Sequence, residues 1–148
     1  MMEKDPKYIV PFEGVYHGPL PKQFPRPSET NEIFMIVLKH FENGSLTEYM
    51  NSNPFLDWNY RLHLLKDICH GLKSLHDHQI LHGDFHPGNI LIDRHGFAKI
   101  SDFGLSRTSD YYSSNSVVDM AGARWIRAPE QFKHPPAQYN ELCDIYSL

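Results

Sequence analysis

Cysteine is scarce in this 148-residue chain, which has only Cys69 and Cys143. A disulfide framework or a structural zinc site needs more ligands at closer spacing than these two residues provide. Both cysteines lie in apolar segments with the pattern of helices, so we expect two small buried thiols in a reducing compartment.

Long apolar runs and an excess of positive charge are also absent. No stretch reaches the ~18 apolar residues of a membrane span, and the N-terminal residues lack the basic and apolar regions of a signal peptide. The formal net charge of -4 argues against a nucleic-acid-binding surface, which needs a basic face. We therefore expect a soluble cytoplasmic protein with neither nucleic acid nor a membrane among its partners.

The apolar content, 41% of the residues, is enough for the core of one domain. β-branched and aromatic residues predict a strand over 7–16, and a loop rich in proline and polar residues follows it. The apolar run Ile33–Phe41 has strand length and predicts a strand buried on both faces. Ser45 is a suitable N-cap for a short helix that runs through Met50.

The longest periodic segment, Asp57–Gln79, predicts one helix with Asp57 as its N-cap. Its apolar residues recur at spacings of three and four, and the predicted buried face consists of Leu62, Leu65, Ile68, Cys69, Leu72 and Leu75.

Three short strand-like pieces follow this helix, at 80–81, 89–93 and 97–101. The turn "RHG" between the last two pieces predicts a hairpin. Residues 105–121 are polar and aperiodic and predict a loop, and the last ten residues predict another helix.

Polar side chains lie at the ends of these strands. Asp84 stands in a turn, Asn89 lies five residues later, and Asp102 follows the next strand. The predicted hairpin would bring Asn89 and Asp102 to the same end of a sheet. Phosphoryl transfer requires a carboxylate that orients the attacking hydroxyl and oxygen ligands for Mg²⁺, and Asp and Asn suit both tasks.

These residues lie in motifs that resemble those of the protein kinase family, in its tyrosine-kinase-like and Ser/Thr branches. "HGDFHPGN" at 82–89 resembles the catalytic loop, "DFG" at 102–104 the magnesium motif, and "APE" at 128–130 the end of the activation segment. "VLKHFENGSL" resembles the hinge and the helix after it. The resemblance implies an α+β protein-kinase-like fold.

The resemblance implies specific catalytic roles. Asp84 would be the catalytic base, and Asn89 and Asp102 would be the magnesium ligands. His86 stands where Ser/Thr kinases carry a lysine that touches the transferred phosphate, a contact that histidine makes in part when it is protonated.

The same resemblance implies a nucleotide site for ATP. Leu91 would lie under the adenine ring, and the backbone of Lys39 and Phe41, just after Leu38, would hydrogen-bond the adenine edge. Asp102 would bind the phosphates through Mg²⁺.

The resemblance also assigns supporting roles. His82 and Phe103 would pack the loop against the D-F-G motif, and Asp144 would hold the loop backbone. Glu130 would pair with an arginine that lies beyond this chain. Gly83 stands where the family usually has an arginine that pairs with a phosphate on the activation loop. The side chain that would bind this phosphate is therefore missing.

The sequence lacks the family's Gly-rich loop, its V-A-I-K lysine and the helix that carries the glutamate partner of that lysine. We therefore expect a partial kinase domain over 1–148, with a small-lobe remnant at 1–38, a hinge at 39–45 and an incomplete large lobe at 46–148. The implied function is ATP-dependent phosphoryl transfer to a hydroxyl of a protein substrate, with little activity in this chain alone. The alternative is a catalytically silent, kinase-like binding or scaffold module.

Two further features favour ordinary explanations. The histidines at 76, 78, 82 and 86 cluster in sequence, but they lack the paired spacing of a zinc site. Tyr111 and Tyr112 fit a solvated loop better than a phosphorylation site. The sequence leaves Ser/Thr or Tyr specificity open.

Overall fold

The computed structural model describes residues 7–19, 32–108, 124–132 and 138–148. Within these ranges the chain forms three α-helices and three two-stranded antiparallel sheets. The predicted α+β class is confirmed, and the short strands follow the long helix in the predicted order.

The first sheet is a hairpin of strands β1 (Phe12–Pro19) and β2 (Glu32–Leu38). Both predicted strands are present, but the first is shifted from the predicted 7–16 to Phe12–Pro19, and the prediction that Ile33–Phe41 is buried on both faces is wrong. Phe34 is 76% exposed and Ile36 is 72% exposed. In the described part of the chain, β1 and β2 pair only with each other, so no second layer covers these side chains.

Helix α1 spans Leu46–Ser52, and Ser45 caps it as predicted. The Glu48 amide donates to Ser45 Oγ at 3.3 Å, while the Ser45 amide donates to the Glu48 carboxylate at 2.8 Å. This reciprocal capping box satisfies two backbone donors that the first helical turn leaves without partners. The hydrogen bonds from the Ser45 backbone and hydroxyl lower the pKa of Glu48.

Helix α2 spans Trp58–Asp77, and the Asp57 carboxylate accepts the Asn59 amide at 2.9 Å. The predicted single helix and its cap are confirmed. The predicted buried face is correct only in part, because Leu62, Leu65 and Cys69 are exposed. The residues that α2 buries are Leu64, Asp67, Ile68, Gly71, Leu72 and Leu75.

Two non-apolar residues account for the difference between the predicted and the observed buried face of α2. A Cβ at Gly71 would lie 2.8 Å from Ile100 Cδ1 and 3.0 Å from the Tyr8 carbonyl oxygen, so glycine permits the close approach of α2. The buried Asp67 carboxylate accepts the amide of Ala98 at 3.2 Å. The spacing of apolar residues along the sequence does not reveal either contact.

The short strands are β3 (Ile80–Leu81), β4 (Ile90–Ile92), β5 (Ala98–Ile100) and β6 (Arg107–Thr108). The predicted hairpin is confirmed, since β4 pairs antiparallel with β5. The predicted loop at 105–121 is wrong at its start, where β6 pairs with β3. Tyr111 and Tyr112 lie outside the described residues.

The main core lies between α2 and the β4–β5 hairpin. Its buried members are Ile9, Leu64, Ile68, Leu72, Leu75, Phe85, Ile90, Ile92, Ala98 and Ile100. The predicted last helix is present as α3 (Glu141–Ser147), which Asn140 caps and which buries Cys143 against Leu81. No helix in the described ranges is long and apolar enough to cross a membrane.

Candidate active site

The loop between β3 and β4 contains the predicted catalytic residues. Asn89 ends a short 3₁₀ turn, Pro87–Asn89, and its side-chain amide donates to the Asp84 carbonyl oxygen at 2.8 Å. The same Nδ2 lies 3.4 Å from Asp84 Oδ2. Because the NH₂ group of Asn89 is engaged by the loop, its Oδ1 is the side-chain atom suited to accept a cation.

The β4–β5 hairpin places Asp102 near Asn89. The amide and hydroxyl of Ser101 both donate to the Asn89 carbonyl oxygen, at 2.8 and 2.9 Å. Asp102 follows directly in the left-handed region with φ of 57°, and its Oδ1 accepts the Gly104 amide at 3.2 Å. Backbone in this region is strained for most residues, and such residues cluster at functional sites.

His82 connects the loop to the D-F-G segment. Its Nε2 lies 2.9 Å from the Ser101 carbonyl oxygen, and its Nδ1 accepts the Asp84 amide at 3.3 Å. The ring packs edge-on against Phe85 and contacts Phe103 at 5.5 Å between centroids. The predicted packing of His82 and Phe103 is confirmed.

The Asp144 carboxylate binds the backbone of the loop. Its carboxylate accepts the backbone amides of His82 and Gly83 at 2.9 and 3.2 Å, which confirms the predicted contact with the loop backbone. The Tyr139 hydroxyl donates to it at 2.6 Å, and the His76 ring lies at 2.9 Å. Burial raises the pKa of Asp144, but these four hydrogen bonds outweigh burial and hold the pKa below its ordinary value.

Gly83 has φ of 82°. An L-residue with a side chain is disfavoured there, so glycine suits the backbone as well as removing the family's usual arginine. The sequence motif shows Gly83 only as a missing arginine, and its backbone conformation becomes visible only in the structure.

His86 lies beside the predicted base. Its Nδ1 accepts the Gly88 amide at 3.0 Å, and its Nε2 lies 3.5 Å from Asp84 Oδ2. The ring is therefore placed next to the Asp84 carboxylate by a contact within its own turn.

The predicted nucleotide residues lie at the junction of the hairpin and the helical part. Leu38 and Lys39 are exposed, and the Lys39 amide donates to the Pro11 carbonyl oxygen at 3.2 Å. Phe41 is buried. Leu91 is partly exposed between two buried neighbours on β4, so its side chain faces away from the core.

Comparison with known proteins identifies the family. The family model of the protein kinase domain matches residues 5–148. The chain is 37% identical over 118 residues to the probable leucine-rich repeat receptor-like protein kinase IMK3 of Arabidopsis thaliana, covering 77% of this chain and 15% of that protein. The chain therefore belongs to the protein kinase domain family.

Two fungal relatives give the same result. The serine/threonine-protein kinase CLA4 of Saccharomyces cerevisiae is 32% identical over 127 residues, covering 80% of this chain and 15% of the relative. The serine/threonine-protein kinase BCK1/SLK1/SSP31 of the same yeast is 36% identical over 118 residues, covering 80% of this chain and 8% of the relative. The chain thus spans a small part of the length of these relatives.

The family uses ATP and Mg²⁺, and the chemistry of this loop fits that cation. Mg²⁺ binds through one or two protein carboxylate or amide oxygens and keeps water and phosphate oxygens as its other ligands. Asn89 and Asp102 offer such oxygens. No cluster of three or more His, Cys, Asp or Glu residues suited to a metal occurs within the described ranges.

Acidification is expected to destabilise the chain through His82. Burial lowers the pKa of His82 below 6.5 and outweighs the Ser101 contact and the nearby aspartates, which raise it. The unfolded state therefore binds a proton that the native state does not, and stability falls as the pH drops through 6.5 toward the lower native pKa. Urea unfolding of wild type and His82→Gln across this range checks this.

The expected slope from His82 is at most about 1.4 kcal/mol per pH unit, the value for one proton. His82→Gln should remove that part of the slope, whereas the exposed control His40→Gln should keep it. Equal slopes in wild type and His82→Gln would show that His82 does not cause the acid sensitivity.

Proposed function

We propose that this chain supplies the catalytic loop, the magnesium ligands and the hinge of an ATP-dependent protein kinase, which transfers the γ-phosphate to a protein hydroxyl. The hydrogen-bond frame around His82 supports this proposal most directly. Its ring bonds the Asp84 amide and the Ser101 carbonyl, so one buried side chain joins the loop to the residue that precedes Asp102.

Within this frame, Asp84 acts as the base that orients and deprotonates the acceptor hydroxyl. Asn89 and Asp102 hold Mg²⁺, which supplies charge neutralisation at the phosphates when it is bound. The side-chain amide of Asn89 bonds Asp84, so the base and the metal ligand are positioned as a unit. Catalysis of phosphoryl transfer depends mainly on such positioning and on electrostatics.

The nucleotide binds at the junction of the two parts of the domain. Leu91 packs under the adenine ring, and the backbone of Lys39 and Phe41, next to Leu38, binds the adenine edge. In this proposal residues 1–38 belong to the small lobe, 39–45 form the hinge and 46–148 belong to the large lobe.

The acceptor is a serine or threonine hydroxyl, and the catalysis takes place in the cytoplasm. The relatives CLA4 and BCK1/SLK1/SSP31 are named serine/threonine-protein kinases, which supports this acceptor. The cytoplasmic location rests on the use of ATP by the family.

Residues 1–148 alone should show little or no turnover, since their sequence contains neither a Gly-rich loop nor the V-A-I-K lysine. Losing the groups that hold the phosphates removes effects worth orders of magnitude, at 1.36 kcal/mol per tenfold. The test is an assay with labelled ATP, Mg²⁺ and a generic acceptor protein. It compares residues 1–148 with a chimera in which residues 39–148 replace the matching segment of the yeast CLA4 kinase domain.

We expect transfer by the chimera and only background transfer by residues 1–148, with Asp84→Asn as the background control in both. Transfer by residues 1–148 clearly above that control would show that the missing phosphate-binding groups are dispensable. A folded chimera that binds ATP without transferring phosphate would contradict the proposal and favour a catalytically silent binding module.

A further inference from the structure

The His86 ring makes two contacts that together fix its protonated nitrogen. Nδ1 accepts the Gly88 amide at 3.0 Å, and a nitrogen that accepts a hydrogen bond carries no proton. In the neutral ring the proton therefore resides on Nε2. That nitrogen lies 3.5 Å from Asp84 Oδ2, which is longer than an ordinary hydrogen bond, so the ring is a neighbour of the carboxylate at the outer limit of donation.

Gly88 contributes to this arrangement in a second way, because its lack of a side chain leaves room for the His86 ring. A Cβ at position 88 would lie 2.8 Å from His86 Cε1 and 2.9 Å from His86 Nδ1. Real Cβ contacts of this length essentially do not occur, so any other residue would push the ring away. His86 and Gly88 thus form one local unit.

We propose that His86 is a positioning residue for Asp84. Its neutral ring donates from Nε2, and the contact between Nδ1 and the Gly88 amide holds the ring in place. This inference rests on the proposed function, in which Asp84 is the base. It replaces the expectation that His86 acts as a cation toward the phosphate. A protonated ring would turn an N–H of Nδ1 toward the N–H of Gly88, and two donors cannot bond each other.

The partial burial of both side chains supports a held contact rather than a solvated one. The His86 side chain is 24% exposed and the Asp84 side chain is 19% exposed. The Asn89 amide approaches the same oxygen, Asp84 Oδ2, at 3.4 Å. His86 and Asn89 therefore approach one carboxylate oxygen together and restrict the rotation of that carboxylate.

The test is NMR of the ¹⁵N- and ¹³C-labelled chain at neutral pH. Two-bond correlations between ring protons and ring nitrogens distinguish the two neutral tautomers of histidine. We expect the Nε2–H pattern for His86 in wild type and in Asp84→Asn, because Gly88 rather than Asp84 sets it. In Gly88→Ala we expect this pattern to give way to a mixture of tautomers.

Two variants of His86 separate its contact with the Gly88 amide from its contact with Asp84. His86→Asn retains an acceptor that can bond the amide two residues on but is too short to reach Asp84, so the Asp84 carboxyl carbon resonance should move. His86→Gln can still present an N–H to Asp84, so that resonance should stay closer to wild type. The backbone amide spectrum outside residues 84–89 should be unchanged in both variants.

An Nδ1–H pattern in wild type would overturn the proposal, as would a Gly88→Ala spectrum identical to wild type. Equal displacement of the Asp84 resonance by His86→Asn and His86→Gln would also overturn it. None of these signals depends on phosphate transfer. Failure of the inference is therefore distinguishable from failure of the proposed kinase function.

Discussion

Replacing Asp144 by alanine should lower the free energy of unfolding by about 3–5 kcal/mol, the cost of removing one partner from a buried charged network. The Asp144 side chain is fully buried, and its two oxygens accept four hydrogen bonds. Alanine removes the acceptor of all four donors, including two amides of the catalytic loop. Urea unfolding of wild type and variant measures the loss.

The matched control is Glu141→Ala, which removes an exposed acidic residue from the first turn of the same helix. We expect this control to change stability by less than about 1 kcal/mol, as an exposed first-turn acid typically does. Asp144→Asn should fall between the two variants, because its amide retains one oxygen acceptor. A loss for Asp144→Ala no larger than for Glu141→Ala would show that the network does not brace the loop.

The local elements of this fold are predictable because their signals are local. Ser45 and Asp57 cap their helices through side-chain contacts to amides two or three residues away. The Asp93 carboxylate accepts two amides within its own turn, which closes the β4–β5 hairpin. Each of these contacts lies within four residues along the chain, so a short stretch of sequence contains the whole interaction.

The buried face of α2 is less predictable because contacts far along the chain set it. Asp67 is buried by its bond to Ala98, and Gly71 by its approach to Ile100 and Tyr8. Neither residue contributes to an apolar pattern. The pattern favoured Leu62, Leu65 and Cys69, which are exposed.

In the candidate site, likewise, the identities of the residues could be predicted from the sequence but their orientations could not. The sequence motifs suggested Asp84, Asn89 and Asp102, and the resemblance to kinases supplied the contact between Asp144 and the loop. The orientation of each group depends on the backbone. Gly83 and Asp102 adopt left-handed conformations, and Gly88 leaves room for a ring. Residue type alone does not specify such geometry, since glycine adopts positive and negative φ about equally and aspartate adopts a positive φ only occasionally.

Asp84→Asn in the CLA4 chimera should reduce phosphate transfer by about 10²–10⁴-fold, the usual contribution of a general acid or base. An amide has nearly the shape of a carboxylate and can still accept the Nε2–H of His86, but it cannot take the proton of the attacking hydroxyl at neutral pH. The KM for ATP should change little, because Asp84 contacts the acceptor and not the nucleotide in the proposed site.

The control for Asp84→Asn is Asp77→Asn, which makes the same chemical change at the end of α2. Asp77 forms an exposed ion pair with Lys73, and such a pair is worth only about 0–1 kcal/mol. The control should therefore transfer phosphate at the rate of the parent chimera. If Asp84→Asn lowers the rate less than tenfold while both variants unfold at the same urea concentration, Asp84 is not the base. The shape of the loop would then serve binding rather than catalysis.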